Sequence, residues 1–225
     1  MTTSGEGWTS AVLFAVVILL SSLLGWTRLG QSQLTRPPRT AVVLWLFIAV
    51  PSLVQLIFPA VLDALERDPN LIRDHQWWRI LTSVAVQDGG PVGFVVNLAV
   101  LAWVAPLCVR VWGGSRAVLL FVASQIIFGL FTAFLFPSPG AGNSAATLAL
   151  AASLAGLSVM QSKQVPALAA SAGIVVAGVL LIAVSDAHGL AVLTGTLLGA
   201  ALATVSPPPG DPALRRGPLL EHGPL

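Results

Sequence analysis

Apolar residues in this chain neither alternate nor keep to one helical face; they fill whole blocks. Seven blocks of roughly 20 residues run at Trp8–Trp26, Thr40–Leu62, Pro91–Cys108, Ala117–Phe136, Ser144–Met160, Val165–Val184 and His188–Val205. A helix that crosses the hydrocarbon of a bilayer needs about 20 predominantly apolar residues. Barrel strands would alternate with period two. Blocks that are apolar all round predict helices, which satisfy their own backbone in lipid. The pattern therefore predicts an all-α integral membrane protein with seven spans. The first block has Glu6 before it, no Lys or Arg in its leading flank and Arg28 after it, which reads as a retained helix rather than a signal peptide.

Composition agrees. The 225 residues are 56% hydrophobic and 9% charged, with a mean hydropathy of +0.87. A soluble domain carries about 25% charge, so both an ordinary soluble domain and a disordered chain are excluded. The net charge of +2 comes from 11 Lys and Arg scattered singly or in pairs, with no basic run to hold nucleic acid. The single cysteine, Cys108, excludes an intramolecular disulfide and a cysteine metal cage, and reads as packing.

Loop charge predicts the orientation. One side collects Arg28, Arg36, Arg39, Arg110, Arg116, Lys163, Arg215 and Arg216; the other collects Arg67, Arg73 and Arg79. The richer side is cytoplasmic, which puts the N-terminus outside and the C-terminus inside. The tail over 206–225 is rich in Pro and Gly and reads as unstructured. The longest connection, Asp63 to Gly90, is outer. It mixes Leu65, Leu71, Ile72, Trp77, Trp78, Ile80 and Leu81 with charges, a composition that lies in the membrane interface with both tryptophans at headgroup level.

Polar groups in or at the edges of spans are costly and therefore informative. Ser144 opens the fifth block and His188 the seventh, and both blocks run inward. From Ser144 to Lys163 and from His188 to Ser206 the helices reach about 27–29 Å at 1.5 Å per residue, so the two side chains sit at matched depth. A serine and a histidine so placed can form a hydrogen-bonded nucleophile and base. Asn97 lies inside the third block at a comparable depth. The segment from Phe136 to Ser144, with its prolines and glycines, interrupts helix at membrane depth, which is tolerated where backbone lines a wet cavity or is buried in protein. A serine at a helix N-terminus lies among unpaired N–H groups that suit an oxyanion. Small residues at Ala145, Ala149, Ala152 and Ala155, and Gly195-x-x-x-Gly199, allow close helix approach. The bland alternatives remain open here: Ser144 as a helix cap, His188 as an interfacial residue beside Asp186, Asn97, Gln55 and Gln125 as interhelical glue, His75 as a loop residue and His222 as a solvated tail residue.

Over Thr40 to Val205 the chain resembles the rhomboid family of intramembrane serine proteases. Trp78-Arg79 matches the family's Trp-Arg pair in the first outer loop, and Asn97 matches the Asn of its His-x-x-x-Asn. Pro106, Arg110, Gly113 and Arg116 follow the pattern of the next loop. Gly142-Asn143-Ser144-Ala145 stands where the family has Gly-x-Ser-Gly, and His188, Gly195 and Gly199 match its last helix. The resemblance implies a six-helix catalytic core over 40–205, preceded over 1–39 by an extra helix and a basic cytoplasmic loop. It implies a Ser144–His188 dyad that cleaves transmembrane proteins near their outer ends, in the lipid bilayer, without metal or cofactor, with Asn97 and the Ser144 N–H holding the oxyanion. A prokaryotic plasma membrane fits the short chain. Three positions depart from the family: Gly93 stands where the histidine partnering Asn97 is expected, Ala145 replaces the glycine after the nucleophile, and Val109 replaces an acidic residue. The departures at Gly93 and Ala145 leave room for a slow enzyme and motivate an alternative, a non-catalytic relative that binds transmembrane segments. A small transporter or channel is a third class, for which the chain offers neither a buried acidic relay nor an internal repeat. A histidine base also predicts that activity falls below roughly pH 6–7.

Overall fold

A computed structural model of the chain describes residues 7–29 and 36–208. Glu6 and the tail beyond residue 208, with Arg215, Arg216 and His222, lie outside the described residues. Within them the chain is helical and has seven helices long and apolar enough to cross a membrane. These are α1 (Trp8–Leu29), α2 (Arg39–Ile57), α6 (Gly90–Trp112), α7 (Gly114–Leu130, continued by a π turn over Phe131–Leu135), α8 (Ser144–Gln161), α9 (Val165–Ala183) and α10 (His188–Val205). Three short helices, α3 (Ala60–Leu65), α4 (Pro69–Arg73) and α5 (Arg79–Thr82), fill the connection between α2 and α6.

Boundaries move for local reasons. The second block was expected to run to Leu62, but α2 stops at Ile57 because Pro59 disfavours helical backbone at Phe58, whose φ is −122° and ψ 84°. The third block extends past Cys108 to Trp112 and ends at Gly113, whose φ of +81° is a left-handed value that glycine adopts freely. In α4, Pro69 occupies the first turn, and the Asp68 carboxylate accepts from the N–H groups of Asn70 and Leu71.

α8 is the central helix: every residue from Ala145 to Ser158 is buried. It packs on α10 backbone to backbone. A Cβ on Gly195 would come within 2.1 Å of the Ala149 carbonyl oxygen, one on Gly199 within 2.1 Å of the Ser153 oxygen, and one on Gly156 within 2.0 Å of the Thr196 oxygen. α1 packs against α6, α8 and α9. Trp103 Nε1 of α6 donates to Ser22 Oγ at 2.9 Å, and Arg28 donates to Gln161 of α8 at 2.8 Å. Large apolar side chains such as Phe47, Val92 and Val176 remain exposed on the bundle's outside, as lipid-facing residues do in a membrane protein.

Candidate active site

The segment that joins α7 to α8 is held from several sides. Gly140 and Arg67 exchange two backbone hydrogen bonds of 3.0 Å. The Ala141 N–H donates to Asp88 at 2.7 Å, and the Gly142 N–H donates to the Ser83 carbonyl at 2.9 Å. Arg67 Nε donates to the Ser138 carbonyl at 3.1 Å, and its guanidinium lies 5.2 Å over the Phe128 ring. Burial lowers the Arg67 pKa to about 10, against the pull of Asp88. Gly142 has φ +138°, and a Cβ there would meet Asn97 Nδ2 at 3.2 Å and Gln87 Oε1 at 3.3 Å. Both conformation and space therefore require glycine.

Ser144 is the first residue of α8, and Asn143 is its N-cap. Asn143 makes no side-chain cap. Its amide instead accepts from Gln87 Nε2 at 3.0 Å and donates to Thr147 Oγ1 at 2.9 Å and to the Asn97 carbonyl at 3.2 Å. That side chain is turned away from the first turn of α8, whose N–H groups have no partner within the helix itself. The Ser144 hydroxyl does not cap the helix either: its Oγ lies 2.8 Å from His188 Nε2. Asn97 Nδ2 donates to Gln87 Oε1 at 2.8 Å, which uses one of its two amide hydrogens. Gly93 lies one turn before Asn97 on the same face, and a Cβ there would meet nothing within 4 Å. Ala145 is buried in a cluster with the small residues Ala149, Ala187 and Ala191 and the ring of Phe128.

His188 is 3% exposed. Its ring meets Phe14 of α1 edge-on at 4.9 Å and Phe128 of α7 at 6.0 Å. Its Nδ1 lies 2.7 Å from Asp186 Oδ1. Burial raises the Asp186 pKa, but hydrogen bonds from the His188 ring and backbone, the charge of that ring and the Ser10 hydroxyl outweigh it and hold the carboxyl below its ordinary value.

Arg79 braces the interfacial segment. It donates to the carbonyls of Asp63 at 2.8 Å and Glu66 at 2.9 Å, and to Gln76 Oε1 at 2.7 Å. Trp78 beside it is exposed, as is Trp77, which stacks on Phe134 at 5.8 Å. Gln55 and Gln125, read from sequence as glue between helices, both bond to this segment, Gln125 joining α7 to α5 and Gln55 reaching irregular backbone. Gln55 Nε2 donates to the Gln87 carbonyl at 2.6 Å, and Gln125 Nε2 to the Ile80 carbonyl at 2.9 Å. The residues that sequence reasoning passed over are Gln87, Phe14 and the carboxylate of Asp186. Only Asp186 carried a signal, its place two residues before His188.

A half-buried serine–histidine hydrogen bond at a helix N-terminus, beside an amide donor, is an arrangement able to attack a carbonyl and hold the resulting oxyanion. A search of curated proteins returns no match. The family model for the Rhomboid domain matches residues 74–208, more than half of the chain. With its seven apolar helices, the chain belongs to the rhomboid family of membrane proteins.

Proposed function

We propose that the protein is an active serine endopeptidase that cuts transmembrane helices near their outer ends. The observation that carries this reading is the 2.8 Å contact between Ser144 Oγ and His188 Nε2. In the reaction, Ser144 Oγ attacks the scissile carbonyl carbon while its proton passes to His188 Nε2. The tetrahedral oxyanion is held by the Ser144 N–H and the second hydrogen of Asn97 Nδ2. His188 then gives its proton to the departing amine, the peptide bond breaks, and an acyl-enzyme remains. Water, deprotonated by the same imidazole, hydrolyses it. Loop charge supports a plasma-membrane orientation with the N-terminus and the site outside.

A fluorophosphonate probe on the detergent-solubilised chain tests the reading. Wild type labels; Ser144→Ala does not; His188→Ala labels about 10²–10⁴-fold more slowly, the usual contribution of a general base. Absence of labelling in folded wild type across several detergents and pH values would refute it. That outcome would favour the second reading, a non-cutting binder of transmembrane segments, which the open space at Gly93 motivates.

A further inference from the structure

Asp186 sits in the turn between α9 and α10. Ser185 before it has φ +63°, a left-handed value uncommon for a residue with a Cβ. The turn is fixed by hydrogen bonds from the Ser185 N–H to the Ile182 carbonyl at 2.9 Å and from the Asp186 N–H to the Leu181 carbonyl at 2.8 Å. Its effect is to bury the Asp186 side chain, which is 2% exposed. Asp186 Oδ1 accepts from the backbone N–H of His188 at 2.9 Å. That bond alone is a common way to start a helix. The second bond to the same oxygen, from the ring at 2.7 Å, serves no such purpose.

The ring bond decides which nitrogen is free. A carboxylate only accepts, so Nδ1 carries the hydrogen and Nε2 presents its lone pair to Ser144 Oγ. The charged group on the imidazole among the described residues is Asp186. The packed elements offer Phe14 from α1, Phe128 from α7 and Ser144 from α8, with Arg67 one ring removed, over Phe128. Asp186 Oδ2 is buried with no hydrogen-bond partner, although the Ser10 hydroxyl lies near enough to favour the ionised carboxyl.

We infer that Asp186 is a positioning residue that turns the Ser144–His188 pair into a triad, holding the imidazole in the tautomer and plane that a base requires. This rests on the proposed protease reading and extends it to a group beyond the dyad.

Two measurements on the full chain in detergent test it. The first is the rate of fluorophosphonate labelling against pH for wild type and Asp186→Asn, a near-isosteric change. We expect the rate to fall by up to about 10⁴-fold, the scale on which loss of the orienting carboxylate acts in other triads. An unchanged rate would overturn the inference. The second does not depend on activity, and its reading in wild type depends on no variant: the far-downfield proton resonance of a carboxylate-bound imidazole N–H. It should be present in wild type and Ser144→Ala and absent in His188→Ala and Asp186→Asn; its absence from wild type would overturn the inference. A wild type that shows the resonance but does not label refutes the protease reading and leaves the Asp186–His188 pairing standing.

Discussion

Asn97 is the side chain proposed to hold the oxyanion. Gln87 holds its amide in place at 2.8 Å, and Gly142 leaves it room. Removing one such donor in other hydrolases costs about 10²–10³ in rate. With no histidine at Gly93 to share the load, Asn97→Ala should cost the upper part of that range, read as the rate of probe labelling in a variant that melts like wild type. The reverse substitution is the sharper test. Gly93 lies within α6, has open space around its Cβ position and needs no left-handed backbone. Gly93→His should therefore fold without strain and raise the labelling rate by a factor of ten or more, if the imidazole supplies the missing donor. A variant that folds and labels no faster would mean that the site does not depend on a donor there.

At the scale of elements, the Ser144–His188 distance is set by how closely α8 and α10 approach. Gly195 and Gly199 face backbone oxygens of Ala149 and Ser153, and Gly156 faces α10 in return. No rotamer change can accommodate a methyl group against a backbone oxygen at about 2 Å, so the helices must part. Gly195→Ala should cost about 1–3 kcal/mol, the usual penalty for overpacking, seen as a lower melting temperature. It should also slow labelling, because Ser144 and His188 sit on the two helices being separated. The same elements show what the sequence could and could not disclose. Seven apolar blocks, a serine and a histidine each opening a block, and a glycine pair at helical spacing are all patterns along one helix, and such patterns survive as text. Gln87 lies at the end of an irregular segment, and its partners Ser52, Gln55, Asn97 and Asn143 come from elsewhere in the chain; no periodicity records that convergence. Phe14 is one apolar residue in an apolar helix, and its contact with His188 exists only after α1 has packed. The ends of α2 and α6 moved because a proline and a glycine override hydropathy locally.

At the scale of the molecule, α1 is packed as an integral helix even though the family match begins far beyond it. Its buried stripe is Ser10, Val17, Ser21, Leu24 and Gly25, mostly small residues. In lipid this stripe gains little from apolar burial, because acyl chains are as apolar as the neighbouring helices. Its cohesion comes from close packing at Gly25 against Leu107 and at Gly173 against Leu20. Two side-chain hydrogen bonds, Trp103 to Ser22 and Arg28 to Gln161, add about 0.6 kcal/mol each by analogy with measured bonds in membrane helices. Removing residues 1–29 should therefore cost only a few kcal/mol of stability. The loss at the site is of another kind: Phe14 no longer covers the imidazole, and Ser10 no longer faces the Asp186 carboxyl. Water then reaches a pair that the intact chain keeps 3% and 2% exposed, and the Asp186–His188 bond that fixes the base weakens as the local dielectric rises. The truncated chain should melt a few degrees lower yet label at least tenfold more slowly, and α1 supplied as a separate peptide in the same micelle should restore part of the rate. A truncated chain that labels as fast as the full one would show that the core orients its own histidine, and a faster one would show that α1 obstructs the site it covers.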